Sequence, residues 1–259
     1  MLFTDVEIAT FIQQYFLPFT RIGMLFMVMP VIGSRIVTAR IRLVLAGLCT
    51  FLVVPLLPPL PVSMALSLSS LLFIVQELVI GLVVGFVFQI VFQVYVLSGQ
   101  FMAMKMGLGF ASMNDPTNGV QTTVLSQFFL MLITLIFVVI DGHLLLLTLL
   151  VESFRTLPAG HFMLTPGIFM QMAQLGGWLF AAALVFTLPV LTSLLLVNIA
   201  FGVMSRSAPQ LNIFAVGFPF TLVCGLVLIW LGLINLNDSF NDSVNYGFRF
   251  VHDLLQLER

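Results

Sequence analysis

Five long stretches of this sequence contain no Asp, Glu, Lys or Arg. Each lies between two neighbouring charged residues, and the pairs are Arg42 and Glu77, Glu77 and Lys105, Asp115 and Asp141, Arg155 and Arg206, and Arg206 and Asp238. All five exceed the ~20 apolar residues with which an α-helix crosses a bilayer. The pattern therefore predicts long helices that lie in a membrane or are buried against other apolar helices.

The composition argues against a soluble enzyme and against a nucleic-acid-binding protein. Hydrophobic residues make up 61% of the 259 residues and charged residues 7%, whereas soluble domains have roughly 45–50% and about 25%. Nine Lys and Arg against ten Asp and Glu give a net charge of -1, which leaves no basic surplus to attract a phosphate backbone. Cys49 and Cys224 each lie in an apolar stretch and are expected to act as small hydrophobic side chains.

Hydropathy divides the chain into six apolar segments separated by short polar or Gly- and Pro-marked breaks. The segments are 8–33, 41–62, 71–97, 121–150, 172–204 and 213–236. We expect an all-α membrane protein with about six long apolar, partly broken helices in hairpins. Because Asp5 and Glu7 stand where a signal peptide carries basic residues, the first segment is expected to remain in the mature protein.

The distribution of basic residues predicts an orientation in the membrane. With the amino terminus outside, the inner breaks contain Arg35, Arg40, Arg42, Lys105 and Arg206, and the outer breaks and tail contain Arg155, Arg249 and Arg259. The positive-inside rule therefore favours outside for both termini and the cytoplasm for 34–42, 98–120 and 205–212.

Four ionisable residues within the apolar segments are candidate functional residues: Arg21, Glu77, Asp141 and His143. Ionisable groups at bilayer depth are costly, so these side chains should face protein rather than lipid. One interpretation is a stand-alone secondary transporter or ion channel that uses Glu77, Asp141 and His143. The interpretation that we favour is structural, with these groups paired to other polar groups so that they fix helix packing.

The sequence contains no recognisable catalytic or metal-binding motif. His143, His161 and His252 are isolated, and the residue spacings typical of zinc sites are absent. The glycine pair at Gly107 and Gly109 is not followed by the Lys-Ser or Lys-Thr that would hold a nucleotide phosphate. We therefore expect no enzymatic activity and no cofactor.

The passage from Lys105 to Gly119, KMGLGFASMNDPTNG, combines Met and Gly residues with an Asn-Asp-Pro turn. Flexible thioethers on a flexible backbone suit a compliant seal. Leu108 and Phe110 are poorly suited to water. We expect a buried loop that lines a pore or an interface.

Two further features concern helix packing. Gly81 and Gly85 form a Gly-x-x-x-Gly pair, which lets two membrane helices approach closely. The tail from Asn235 to Arg259 is amphipathic, and one helical face carries Val244, Phe248, Val251 and Leu255. The tail is expected to lie on a membrane surface, against a partner, or against its own bundle.

Several motifs are similar to those of one membrane protein family. The longest is SRSAPQLNIFAVGFPF (205–220), which fits a loop of the form Arg-x-x-Pro-Gln-x-Asn-x-Phe followed by Gly-Phe-Pro. Further agreement comes, in order, from Arg21 with Pro30, from Gln76 and Glu77 with Gly81, Gly85 and Phe86, from GLGFASMNDP (107–116) and from DGHLLLLTLLVESFRTLP (141–158). Over essentially its whole length the chain resembles the FliR family of flagellar export proteins, whose virulence-secretion counterparts are SctT, SpaR and YscT.

The resemblance implies a non-enzymatic subunit of the type III protein export gate, in the bacterial inner membrane at the flagellar basal body. The implied partners are FliP and FliQ, which form a larger helical gate assembly around a single copy of this chain, with FlhB and FlhA as further partners. Unfolded flagellar proteins are the implied substrates. The implied organisation is a FliP-like part over 1–171, a FliQ-like helical hairpin over 172–236 and the tail over 237–259.

Two sets of site residues follow from the same resemblance. The implied plug that helps to close the channel is the loop 106–116, with Met106, Gly107, Leu108, Gly109, Phe110, Met113, Asn114, Asp115 and Pro116. The implied partner-binding loop on the cytoplasmic side contains Arg206, Pro209, Gln210, Asn212 and Phe214.

Overall fold

The structure is a computed structural model, and it describes residues 5–34, 37–57, 68–108, 123–159, 166–207 and 213–255. Every regular element in these ranges is helical. The α-helices are α1 (Asp5–Val28), α2 (Ala39–Val53), α3 (Leu68–Lys105), α4 (Val124–Val139), α5 (Gly142–Thr156), α6 (Pro166–Ser207), α7 (Ile213–Gly232) and α8 (Leu236–Leu255), with short 3-10 turns at Val54–Leu56 and Leu233–Asn235.

Four helical stretches are long and apolar enough to cross a membrane. They are Ala39–Leu56, Ser70–Lys105, Gly167–Ser207 and Val216–Leu255, and a fifth arises if α4 and α5, which are bent by 66° at their junction, form one broken span. The prediction of an all-α membrane protein is confirmed. Among the described residues the spans number four or five rather than six, since α1, which carries Arg21 and Pro18, is not among them.

The tail forms the helix α8. A 3-10 turn at Leu233–Asn235 leads from α7 directly into α8. On the predicted face of α8, Val244, Val251 and Leu255 are buried and Phe248 is half-buried. This face therefore packs against protein, which was one of the three expected surroundings.

The chain divides into two compact units that are interleaved in sequence. The first unit contains 1–90, 137–175 and 245–259, and the second contains 91–136 and 176–244.

The first unit is built on close packing around α1. α1 packs on α2, and the rings of Tyr15 and Phe51 stack with centroids 6.5 Å apart. At Gly81 a Cβ atom would collide with the backbone carbonyl of Arg21, and at Gly85 it would lie 3.0 Å from Val28 Cβ. The Gly-x-x-x-Gly pair therefore brings α3 against α1, which is the kind of close contact that the sequence predicts.

The break between α4 and α5 has a local cause within the same unit. Asp141 adopts a left-handed conformation with φ 54°, which interrupts a right-handed helix. A Cβ atom on the next residue, Gly142, would collide with the ring of Phe137. The helix axis therefore changes direction at Asp141. The next position has no room for a side chain, so it is occupied by Gly142.

The second unit has an aromatic core. The Tyr95 ring lies edge-on to Phe186 at 5.2 Å and to Phe240 at 5.5 Å, and Phe129 packs on Phe186 at 5.9 Å. The Tyr95 hydroxyl is 3.0 Å from Ser243 Oγ, so its polar end has a partner. These contacts join α3, α4, α6 and α8 within the unit.

Candidate functional site

The most strongly polar group in the core of the first unit is an ion pair between α1 and α3. Arg21 Nε donates to Glu77 Oε2 at 2.6 Å, and both side chains are 0% exposed. A buried charge is tolerated only when it is paired and hydrogen-bonded. The sequence singled out both residues because of this cost, and the structure brings these two together.

The same guanidinium also binds the end of α5. Arg21 Nη1 donates to the Ser153 carbonyl oxygen and to Ser153 Oγ, each at 3.1 Å, and Nη2 donates to the Leu157 carbonyl oxygen at 2.9 Å. The Ser153 carbonyl oxygen also accepts from the Leu157 amide at 2.9 Å, and a cation near the last carbonyls of a helix is favourable. Phe154 adds a cation–π contact, with its ring centroid 4.1 Å from Arg21 Cζ. One side chain therefore fastens three helices to one another.

The other two intramembrane candidates lie at the break between α4 and α5. Asp141 is exposed, and its backbone carbonyl accepts from the amides of Leu144 and Leu145 at 2.9 Å and 3.1 Å. His143 is half-buried. Asp141 and Glu77 thus have opposite surroundings, since Asp141 is exposed and Glu77 is fully buried. Within the part of the chain that the structure describes, no group of three or more His, Cys, Asp or Glu residues could hold a metal ion.

The first residues of the predicted plug form a tight turn at the end of α3. Gly107 has φ +84°, a left-handed conformation that glycine adopts without strain. The Gly107 amide donates to the Met104 carbonyl at 3.2 Å and the Leu108 amide to the Ala103 carbonyl at 2.9 Å. This pair of bonds is a Schellman motif, which satisfies the last carbonyls of a helix and redirects the chain.

This turn packs against α7 within the second unit. Met106 is 0% exposed, and a Cβ atom on Gly225 would lie 2.6 Å from its Cγ and 2.8 Å from its Sδ. A Cβ atom on Gly107 would lie 2.5 Å from Cε2 of Phe218. The missing side chain at Gly225 therefore leaves a space, the Gly225 notch, that the Met106 side chain fills. The Phe218 ring covers Gly107.

The remaining predicted site residues are placed as follows. Arg206 is exposed in the last turn of α6. Phe214 lies in the first turn of α7, and its side chain is outside the described residues. Also outside them are Gly109, Phe110, Met113, Asn114, Asp115, Pro116, Pro209, Gln210 and Asn212.

Sequence reasoning missed several residues that complete these two sites, namely Ser153, Phe154, Leu157, Phe218 and Gly225. The turn itself had a signal, because a glycine shortly after a basic last helical turn, here Gly107 two residues after Lys105, is typical of a C-terminal cap. Phe218 stands in the Gly-Phe-Pro of the motif 205–220, but nothing in the sequence indicated the contacts of Phe218 and Gly225, since α7 is apolar on all sides and its composition favours no face.

Comparison with known proteins decides the family. A family model described as "Bacterial export proteins, family 1" matches residues 12–246. The chain belongs to this family. Its relatives include the flagellar biosynthetic protein FliR of Pectobacterium carotovorum, which is 36% identical over 98% of this chain and 95% of its own length.

FliR of Escherichia coli K12 is also 36% identical, over 87% of this chain and 86% of its own length. FliR of Buchnera aphidicola from Acyrthosiphon pisum is 28% identical over 88% of both chains. The resemblance to the FliR family is thus confirmed. Family membership makes the chain a membrane-embedded component of the flagellar protein export apparatus.

Proposed function

We propose that this chain is a non-enzymatic subunit of the type III export gate in the bacterial inner membrane. It assembles with FliP and FliQ into the export channel at the flagellar base, with FlhB and FlhA as further partners. Unfolded flagellar proteins pass through this channel. The observation that carries the proposal is the family match over residues 12–246, and the apolar helices that could cross a membrane support it.

The exposed side chains of α6 and α7 also support an assembly. Large apolar residues remain exposed along both helices, among them Phe180, Leu188, Leu196, Phe218 and Trp230. In the proposed gate this surface is covered by partner helices and lipid. The division into a FliP-like part (1–171) and a FliQ-like hairpin (172–236) belongs to the same proposal.

The first test of this function is purification of the tagged chain from its own cells in mild detergent, followed by intact-complex mass spectrometry. The expected result is one copy of the chain bound to several copies of small membrane proteins. A stable lone chain would contradict the proposal. It would favour a stand-alone transporter or channel, in which Glu77, Asp141 and His143 form the ion site.

We also propose that 106–116 is the plug that helps to close the channel at rest, and that Arg206, Pro209, Gln210, Asn212 and Phe214 contact FlhB on the cytoplasmic side. The Met and Gly content of the plug passage and the turn that begins it at Gly107 support the first part. The exposed position of Arg206 at the end of α6 supports the second.

Shortening the passage between Gly107 and Asn114, with Gly107 retained, tests the plug. Ion leakage through the assembled gate is expected to rise, because a shorter passage cannot fill the pore, while co-purification with the partner subunits stays unchanged. Leakage is measured as conductance of the purified gate in planar bilayers. Unchanged conductance in a fully assembled variant contradicts the plug assignment.

A further inference from the structure

α7 holds the turn Met106–Leu108 at two points within the second unit. Met106 fills the notch at Gly225, and the Phe218 ring lies over Gly107. Met106 is 0% exposed, whereas the Phe218 side chain is 48% exposed and touches the turn with one part of its ring. The first contact is therefore enclosed, and the second is open on one side.

These contacts need glycine at both positions. A side chain at Gly107 would be strained by the φ of +84° and would also strike the Phe218 ring. A side chain at Gly225 would take the space of the Met106 thioether. The turn can keep this conformation and this place only while both glycines are present.

Pro219 lies between the two contact points. Proline has no amide hydrogen, so α7 lacks one intrahelical hydrogen bond at this position, and such positions are the usual sites of helix bending. Phe218 belongs to the part of α7 before Pro219, which begins at Ile213, and Gly225 belongs to the part after it. Displacing the first part changes the Phe218 contact and leaves the Gly225 contact in place.

We propose that Phe218 is a positioning residue of channel closure: it holds Gly107 and thereby fixes where the chain leaves α3, with Met106 in the Gly225 notch as the stationary anchor. Bending of α7 at Pro219 withdraws the ring and frees the turn. The inference rests on the proposed gate function, because this turn is the start of the plug passage.

The chain offers a matched control for Phe218. Phe220 lies two residues further along α7 and is 47% exposed, but its ring packs on Phe201 at 5.3 Å instead of on the turn. Phe218→Ala and Phe220→Ala therefore remove the same number of atoms at the same exposure. Only the first removes the cover of Gly107.

The experiment measures ion conductance of the whole purified gate in planar bilayers, with co-purified partners as the control for assembly. Phe218→Ala is expected to raise the open fraction about tenfold, which corresponds to about 1.4 kcal/mol, and Phe220→Ala is expected to leave it unchanged. If Phe218→Ala does not assemble, Phe218→Leu replaces it and is expected to leak more than Phe220→Leu. Equal conductance of the matched variants overturns the inference.

A reversible crosslink provides the second measurement. Met106 Cβ is one bond from the Cγ atom that lies 2.6 Å from a Cβ built on Gly225, so the two Cβ atoms of Met106→Cys and Gly225→Cys lie at most about 4.1 Å apart, which does not exceed the ~3.5–4.5 Å that disulfide Cβ atoms span. The background carries Cys49→Ala and Cys224→Ala. In the Phe218→Ala gate the oxidised crosslink is expected to leave the leak unchanged, because the anchor does not move when the Phe218 contact is lost. A leak that falls on oxidation and returns with dithiothreitol contradicts the stationary anchor.

These results separate failure of the inference from failure of the proposed function. If the shortened plug passage leaks and Phe218→Ala does not, the channel assignment stands and the role of Phe218 is wrong. If neither leaks in assembled gates, the plug assignment fails and the inference fails with it.

Discussion

Replacing Arg21 by Ala is expected to lower the free energy of unfolding by about 3–5 kcal/mol, the usual effect of removing one partner of a buried ion pair. The change leaves Glu77 enclosed without its cation and leaves the Leu157 carbonyl oxygen without the Nη2 donor. Unfolding of the purified complex, followed by helix content against denaturant or temperature, measures the loss. Arg40→Ala is the control, since Arg40 is exposed, and its effect is expected to stay within about 0.5 kcal/mol.

Two further variants separate the ion pair from the binding of α5. Arg21→Lys keeps a positive charge for Glu77 but lacks the planar fork that also reaches Ser153 and Leu157, so an intermediate loss is expected. Arg21→Met with Glu77→Leu removes both charges and is expected to cost less than Arg21→Ala alone. An Arg21→Ala effect no larger than that of Arg40→Ala would mean that the ion pair contributes nothing to stability.

The sequence indicated the ionisable residues of the core but not their complete set of partners. Arg21 and Glu77 attract attention because an isolated charge in an apolar segment needs compensation. The main-chain partners of Arg21 had no such signal, because every residue has a carbonyl group. Only the fold places the carbonyl groups of Ser153 and Leu157, at the C-terminal end of α5, beside Arg21. Asp141 looked the same as Glu77 in sequence, yet it is exposed at a helix break.

Hydropathy predicted where the helices lie along the chain more reliably than it predicted which side of each helix contacts other helices. The apolar segments correspond to long helices because the charge-free stretches exceed the length of a span. For the tail, the residues of the apolar face were predicted because α8 has one polar and one apolar face, whereas the surroundings of that face were left open. In the structure Phe248 packs on Phe88 at 4.7 Å. In α7 no such division into faces exists, so the contacts of Phe218 and Gly225 could not be predicted from the sequence.

Gly81→Ala is expected to destabilise the first unit by about 2 kcal/mol, within the usual range for overpacking. The added methyl group would meet the Arg21 carbonyl oxygen and would lie 3.1 Å from both the Arg21 carbonyl carbon and Met24 Cβ. Two of these atoms belong to the backbone of α1 and cannot rotate away, so α1 and α3 must move apart. The same denaturation experiment measures the change.

Gly47 provides the opposite case in the same unit. It lies within α2 and a Cβ atom built on it meets nothing within 4 Å, so Gly47→Ala is expected to stabilise by about 0.4–1 kcal/mol through the lower entropy of the unfolded chain. Gly85→Ala is expected to fall between the two, because its nearest neighbour would be Val28 Cβ at 3.0 Å. If Gly81→Ala and Gly47→Ala change stability by the same amount, α1 and α3 do not pack closely at Gly81.

The Gly81 and Arg21 variants are expected to be non-additive, and the size of this coupling identifies what the close approach achieves. The atom that Gly81 accommodates is the carbonyl oxygen of Arg21 itself, so moving the helices apart also moves the guanidinium away from Glu77. In the Arg21→Ala background, Gly81→Ala should therefore cost less than in the wild type, by at least about 0.5 kcal/mol, as for residues in contact. Strict additivity would mean that the glycine and the ion pair stabilise α1 independently, and that the glycine contributes only packing.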